Sequence, residues 1–224
     1  MANSFLNIDN PDKNDNRHYC FKDEDFYDRV EFPIISSWLD NGSKVIDLGC
    51  GNGSLIRYLK QRNDIEIEGI EISQSGVDFC LKNGFNVYQG EIDKKETYKN
   101  YHNKQFNFSI CNVTLQMVQY PEILLSEMKR ISKYQIISFP NFAYFENRLD
   151  LMCRGIMPQK MLFGYNWYNT GHIHQLSLKD FLIFCQKNNI KIIKAHHLGC
   201  FKIFAKIFSP NFFSKESIFL CEES

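Results

Sequence analysis

From residue 44 onward, short continuous apolar runs take turns with segments whose apolar residues recur at helical spacing. Residues 44–48 (KVIDL) read as a buried strand running straight into Gly49-Cys50-Gly51-Asn52-Gly53. A helix over 54–60 follows, carried by Leu55, Ile56 and Leu59. The pattern then predicts a strand at 65–72, a helix at 74–82, a strand at 85–88, a polar and partly helical stretch at 93–104, and a strand at 106–111. Pro121 opens a helix as a first-turn residue, with Leu124, Leu125, Met128 and Ile131 on one stripe. Residues 134–139 make the next strand. Such alternation means an α/β fold, a mainly parallel sheet with helices on both faces.

Past Pro140 the rhythm changes. Residues 142–154 carry helical spacing, with Leu149 and Leu151 expected inward. Residues 155–174 are a long irregular stretch, of the length that usually serves function in a compact domain. Ser177-Leu178-Lys179-Asp180 has the form of a capped helix start, and 190–195 and 217–221 read as two last strands around an apolar connector at 199–213. At the other end, 1–18 is polar and reads as flexible, and a helix interrupted by Pro33 starts near Phe32. The chain divides into an N-terminal segment, 1–36, with an entry helix or lid, and one domain, 37–224. An acceptor-binding insertion falls at about 142–176.

Composition narrows the options. At 224 residues the chain suits one generous domain, and 44% hydrophobic with 23% charged residues is a globular balance. Lys+Arg and Asp+Glu both number 26, which argues against a nucleic-acid partner. The 20 Phe and 11 Tyr point to a core and pocket walled by rings. The eight cysteines are scattered without a C-x-x-C pair, so free thiols in a reducing compartment are expected, without a metal site. The chain shows neither a secretory signal nor an apolar run of membrane-spanning length, and a cytoplasmic protein is expected.

The glycine loop is the most informative segment. Glycines at a strand-to-helix turn let the backbone approach a ligand closely, at the edge where open α/β sheets bind them. A dinucleotide site wants G-x-G-x-x-G; here the sixth position is Ser54. Asp47 before the loop would repel a pyrophosphate but suits an ammonium or sulfonium centre. Glu71, at the end of the second strand, is placed to accept hydrogen bonds from both hydroxyls of a ribose. An adenosine-bearing cation without phosphates is S-adenosylmethionine. A nicotinamide dinucleotide remains the competing ligand.

VIDLGCGNGSL, GIEIS, QGEID and FNFSICNVTLQ resemble motifs of the class I S-adenosylmethionine-dependent methyltransferases. The run SFPNFAYFENRLDLMCRGIMP with YNWYNTGHIHQLSLKDF is similar to the MetW (methionine biosynthesis protein W) family, over about 37–220. The resemblance implies a Rossmann-like, seven-stranded, mainly parallel sheet with an antiparallel last strand, and S-adenosylmethionine over its carboxyl edge. By resemblance, Asp47, Gly49, Cys50 and Gly51 would hold the amino-acid part of the cofactor and Glu71 the ribose, with Ile72 beside it. Glu91 and Ile92 would flank the adenine, and Asn112 and Leu115 would lie near the methyl group. Where the MetW pattern reads PYxWYDTPNIH, this chain has GYNWYNTGHIH, with Gly164, Asn169, Gly171 and His172 as replacements. Ile156 and Phe145 also depart from it. The changes gather where an acceptor would bind, which implies a retained cofactor site and an altered acceptor pocket.

For a hydroxyl acceptor the candidate bases are His172 and His174, with Tyr168 beside them. Tyr19, Tyr27, Tyr165 and Trp167 could close the site around a cationic donor, and Arg148, Arg154 and Lys160 could bind an anionic acceptor. Each has a plainer role: His174 pinning a loop through a carbonyl, the tyrosines packing, the cations solvated. The expected function is O-methylation of a small polar acceptor, a sugar or phosphorylated glycan precursor. Two alternatives stay open. One is a non-catalytic partner of homoserine acyltransferase, docking through 201–213; the other is a nicotinamide-dependent oxidoreductase. Self-association is compatible with either methyltransferase-fold reading.

Overall fold

The computed structural model describes residues 20, 21, 26–162, 164–199 and 209–223. Tyr19, the polar start of the chain and residues 200–208 of the apolar connector lie outside them. Seven strands, β1 (Ser43–Leu48), β2 (Ile65–Glu71), β3 (Asn86–Gln89), β4 (Phe106–Asn112), β5 (Ser132–Pro140), β6 (Ile190–Leu198) and β7 (Glu216–Glu223), form one sheet. Their order is β3-β2-β1-β4-β5-β7-β6. β1 to β5 pair in parallel, whereas β7 is antiparallel to both β5 and β6. The order reverses between β1 and β4, and a ligand crevice opens there at the carboxyl ends.

Alternate residues of each strand feed two cores. On one face Val45, Ile67, Phe108 and Ile110 meet helices α1 (Phe32–Ser36), α2 (Ser54–Lys60) and α3 (Gln74–Lys82). On the other Ile46, Leu48, Cys111 and Ile137 meet α4 (Pro121–Ile131) and α6 (Leu178–Lys187). The apolar stripe of α4, Leu124, Leu125, Met128 and Ile131, is buried as its spacing requires. Pro33 sits in the first turn of α1, where its missing N–H costs nothing. The capped start read from Ser177 is present: Asp180 N donates to Ser177 Oγ at 3.1 Å and Ser177 N donates to Asp180 Oδ2 at 3.0 Å.

One expectation about the insertion is corrected. Only Phe145–Leu149 (α5) is α-helical, and the chain widens into a π turn over Asp150–Arg154. Leu149 and Leu151 are each 45% exposed, and Met152 is 78% exposed. The spacing does not give the direction here: Tyr144 just before α5 and Asn147 within it are the residues turned inward. Among the described cysteines none is disulfide-bonded; Cys50, Cys80, Cys111, Cys185 and Cys221 are buried, and Cys20 and Cys153 are exposed.

Candidate functional site

A crevice of about 310 Å³ opens over the carboxyl ends of β1, β2 and β4. It is built around the glycine loop. Gly49 takes φ +81°, and a Cβ there would stand 2.6 Å from Thr114 Cγ2, so only glycine lets the turn close against the end of β4. The loop amides are committed within the protein. Gly49 and Cys50 donate to the Ile70 carbonyl at 2.8 and 3.1 Å, and Gly53 donates to the Cys50 carbonyl at 2.9 Å. Gly51 donates to Glu71 Oε2 at 2.8 Å. The other oxygen of Glu71 accepts from Ser73 N at 2.8 Å. Glu71 thus ties the loop to the end of β2, and each oxygen keeps further acceptor capacity for a ligand hydroxyl.

Asp47 is 2% exposed, and burial, then the neighbouring Glu71 carboxylate, pushes its carboxyl up to about 7. Burial also raises Glu71, although the Ser73 and Gly51 amides offset part of the rise. Two buried carboxyls, with no cation between them among the described residues, favour a positively charged ligand, which would return Asp47 to its ionised form.

Of the ten residues assigned to the cofactor by sequence, nine line this crevice: Asp47, Gly49, Cys50, Gly51, Glu71, Ile72, Glu91, Ile92 and Asn112. Leu115 does not. It belongs to the short 3-10 turn Leu115–Met117 and points into the core beneath α4 and α6, whereas Met117 of the same turn faces the crevice. Tyr27 lines the crevice, with its N–H donating to Ser54 Oγ at 3.2 Å.

The candidate acceptor and base residues lie elsewhere. His172 is buried outside the crevice lining, and burial pushes its imidazole down to about 4, which makes it a weak base. Ile173 N and His174 N both donate to the Gln116 carbonyl, at 2.9 and 3.0 Å. That strap places Ile173 in the crevice and His174 in a separate cavity between α4 and α6. The His174 ring stands 3.4 Å from the Gln119 carbonyl, as the plainer role would have it. Tyr165 is fully buried, whereas Trp167 and Tyr168 are exposed and stack edge-to-face on each other. Arg148 Nε donates to the Ala143 carbonyl at 2.6 Å, and its guanidinium lies over the Phe212 ring. Arg154 pairs with Asp150, and Lys160 with Glu146. These cations serve the insertion itself.

Several lining residues were not singled out from the sequence: Phe21, Arg29, Thr114, Met117, Gln119 and Ile173. Val113 also lines the crevice with φ +53°, a costly backbone for a β-branched residue, held by its N–H donating to Ser138 O and Oγ at 3.1 and 2.9 Å. Strain of this kind gathers at ligand sites, and no local pattern announces it. Behind Asn112, its Nδ2 donates to buried Glu31 Oε1 at 3.2 Å and its Oδ1 accepts from Ser138 Oγ at 2.7 Å.

The family model of methionine biosynthesis protein MetW matches residues 29–221. The chain belongs to the MetW family. The bifunctional methionine biosynthesis protein MetXA/MetW of Rhodopirellula baltica is 34% identical over 150 residues, covering 63% of this chain and 24% of that protein. The ubiquinone biosynthesis O-methyltransferase of Azoarcus sp. is 29% identical over 111 residues, 45% of this chain and 46% of that protein. The chain therefore spans about a quarter and about half of the curated relatives it matches. Among solved structures, an S-adenosylmethionine-dependent methyltransferase of Archaeoglobus fulgidus superposes with a TM-score of 0.62 at 15% identity, covering 86% of this chain and 94% of that one. One from Mesorhizobium loti gives 0.61 at 12% identity, covering 87% and 98%. This MetW-family chain has the Rossmann-like class I methyltransferase fold. No helix of the described residues is long and apolar enough to cross a membrane.

Proposed function

We propose that the protein is an S-adenosylmethionine-dependent methyltransferase, transferring the methyl group to an oxygen of a small polar acceptor. The observation that carries this reading is the pairing of Asp47 and Glu71 beside a glycine loop whose Gly49, Cys50, Gly51 and Gly53 amides are already bonded. A phosphate cradle needs such amides pointing at the ligand; a cationic nucleoside needs carboxylates. The cofactor supplies an activated methyl on a sulfonium. The chain contributes alignment and a shielded site: Asp47 attracts the cation, Glu71 holds the loop and accepts from the ribose, and the Ile173 strap with Met117 walls the far side. Oxygen as the methylated atom is supported by the similarity to the Azoarcus O-methyltransferase. A sugar acceptor fits the same chemistry. A phosphorylated one loses its local support, because Arg148, Arg154 and Lys160 are engaged away from the crevice.

The fused MetXA/MetW relative favours a second reading, in which the chain acts as a partner of an acyltransferase. Incubation with methyl-labelled S-adenosylmethionine and a panel of hydroxyl acceptors tests the first. Label transfer supports it. Cofactor binding with no transfer to any acceptor, together with co-purification with homoserine acyltransferase, supports the second. Binding of NAD in place of S-adenosylhomocysteine overturns both.

A further inference from the structure

Glu71 and Asn112 flank Asp47 in equivalent places. Asp47 pairs with Gly69 of β2 on one side and with Ile110 of β4 on the other. Glu71 and Asn112 each come two residues later on those strands, so both sit on the Asp47 face of the sheet at its carboxyl edge. With a ribose against Glu71 and a cationic centre drawn to Asp47, the donor crosses from β2 to β1. Its reacting end then lies toward β4 and Asn112.

Asn112 is held there in one orientation. Val113 N donates to Ser138 Oγ at 2.9 Å, and the Ser138 hydroxyl in turn donates to Asn112 Oδ1 at 2.7 Å. From the other side Glu31 Oε1 accepts from Asn112 Nδ2 at 3.2 Å. A carboxylate only accepts, so turning the amide over would set oxygen against oxygen at Glu31. It would also leave the Ser138 hydroxyl facing an NH2 group. After both bonds Oδ1 keeps a second lone pair for a ligand.

Glu31 does little else that would explain its burial. Its side chain is 2% exposed, with Arg29 Nη1 3.8 Å from Oε1, and a carboxylate is costly to bury. It directly precedes α1, where an acidic group favours a helix start, yet its side chain makes no capping bond. Beside it Glu216, at the start of β7, is pushed up to about 8 by burial and then by the Glu31 charge, with Arg29 opposing. Glu216 Oε1 is buried without a hydrogen-bond partner. The fold crowds a second carboxyl against Glu31 and still keeps Glu31 on Asn112.

We propose that Glu31 is a positioning residue of the methyl-transfer site: with Ser138 it fixes the Asn112 amide so that Oδ1 meets the positively charged, reacting end of the donor. Glu31 lies outside the crevice lining and acts only through Asn112. The inference rests on the S-adenosylmethionine reading above.

The test compares S-adenosylhomocysteine with sinefungin, which carries an amine on carbon where the donor carries its methyl on sulfur. Calorimetry on the native protein should show sinefungin binding about tenfold more tightly, through an ammonium bonded to Asn112 Oδ1. Glu31→Leu should erase that preference by weakening sinefungin alone, and Asn112→Ala should erase it to the same extent. The double variant should lose no more than either single one, because the two residues act as a unit. Glu31→Gln keeps an oxygen for Nδ2 and should keep most of the preference. Should Glu31→Leu fail to fold, as its melting temperature would show, Ser138→Ala removes the clamp from the other side and is read in the same way. Equal losses for both ligands would overturn the proposal and make Glu31 a support of the fold. A native protein indifferent to the two ligands, a preference that survives Glu31→Leu, or additive losses in the double variant would overturn it too. Native protein that binds neither ligand would defeat the cofactor reading itself, before any variant is compared.

Discussion

Asp47 sets the pH dependence of the crevice. Its carboxyl is raised to about 7 by burial and by Glu71, and a cationic ligand prefers its ionised form. Affinity for S-adenosylhomocysteine, through its ammonium, should therefore increase by about tenfold from pH 6 to pH 8, with proton release on binding at the acid end. Calorimetry in two buffers of different ionisation enthalpy counts that proton. Asp47→Asn should bind weakly and lose the dependence; a slope that persists would move the titration to another group. The same carboxyl acts oppositely on the unliganded fold. Its folded value lies above the unfolded one, so the folded state binds the extra proton, and the Asp47 contribution to stability declines as pH rises from about 4 to 7. Asp47→Asn should flatten that decline in pH-dependent melting. Gly49 offers a steric test at the same turn. Gly49→Ala adds a Cβ 2.6 Å from Thr114 Cγ2 and forces a left-handed alanine, a cost of about 1–2 kcal/mol before any loss of ligand. Adding Thr114→Ala should recover the contact but not the backbone strain, so denaturant melts should show only partial rescue.

At the scale of elements, the boundaries of α2 and α3 agree with the spacing that predicted them, and the strands differ by at most two residues at their ends except for β6, which runs three residues farther. These segments were legible because each apolar stripe meets the sheet directly, so period and burial carry the same information. The insertion was not. Its helical spacing ends in a π turn with Leu149, Leu151 and Met152 turned outward, and the buried positions fall instead on Tyr144 and Asn147. The site divides in the same way. Asp47, the glycines and Glu71 were readable because one strand end, one loop and the next strand end bring them together in sequence. Arg29, Met117 and Ile173 reach the crevice from segments far apart in the chain, and the strap that lifts Ile173 into it hangs on the Gln116 carbonyl rather than on any side-chain pattern. The capping box gives an element-level prediction. Ser177→Ala removes the acceptor of the Asp180 N–H at the start of α6 and should cost about 1 kcal/mol in denaturant melts. Leu151→Lys, on the exposed π turn, should change stability by less than about 0.5 kcal/mol.

For the molecule as a whole, the crevice joins segments that have little else in common: the approach to α1, the ends of β1, β2 and β4, and the strap at Ile173. A ligand that bridges them binds only the folded chain and should raise its stability by mass action. At a hundred times its dissociation constant the gain is about 2.7 kcal/mol, which for a domain of this size raises the melting temperature by about 5–10 °C. S-adenosylhomocysteine should produce that shift, and NAD at equal concentration should not. The same measurement tests the second reading, which the bifunctional MetXA/MetW relative favours. A complex of this chain with an acyltransferase added in trans would appear as a further rise in melting temperature that scales with the amount of acyltransferase added. A shift with S-adenosylhomocysteine alone, unchanged by acyltransferase, would favour an independent methyltransferase. Additive shifts would mean that the crevice and the partner surface are separate, and that a bound cofactor is compatible with either role.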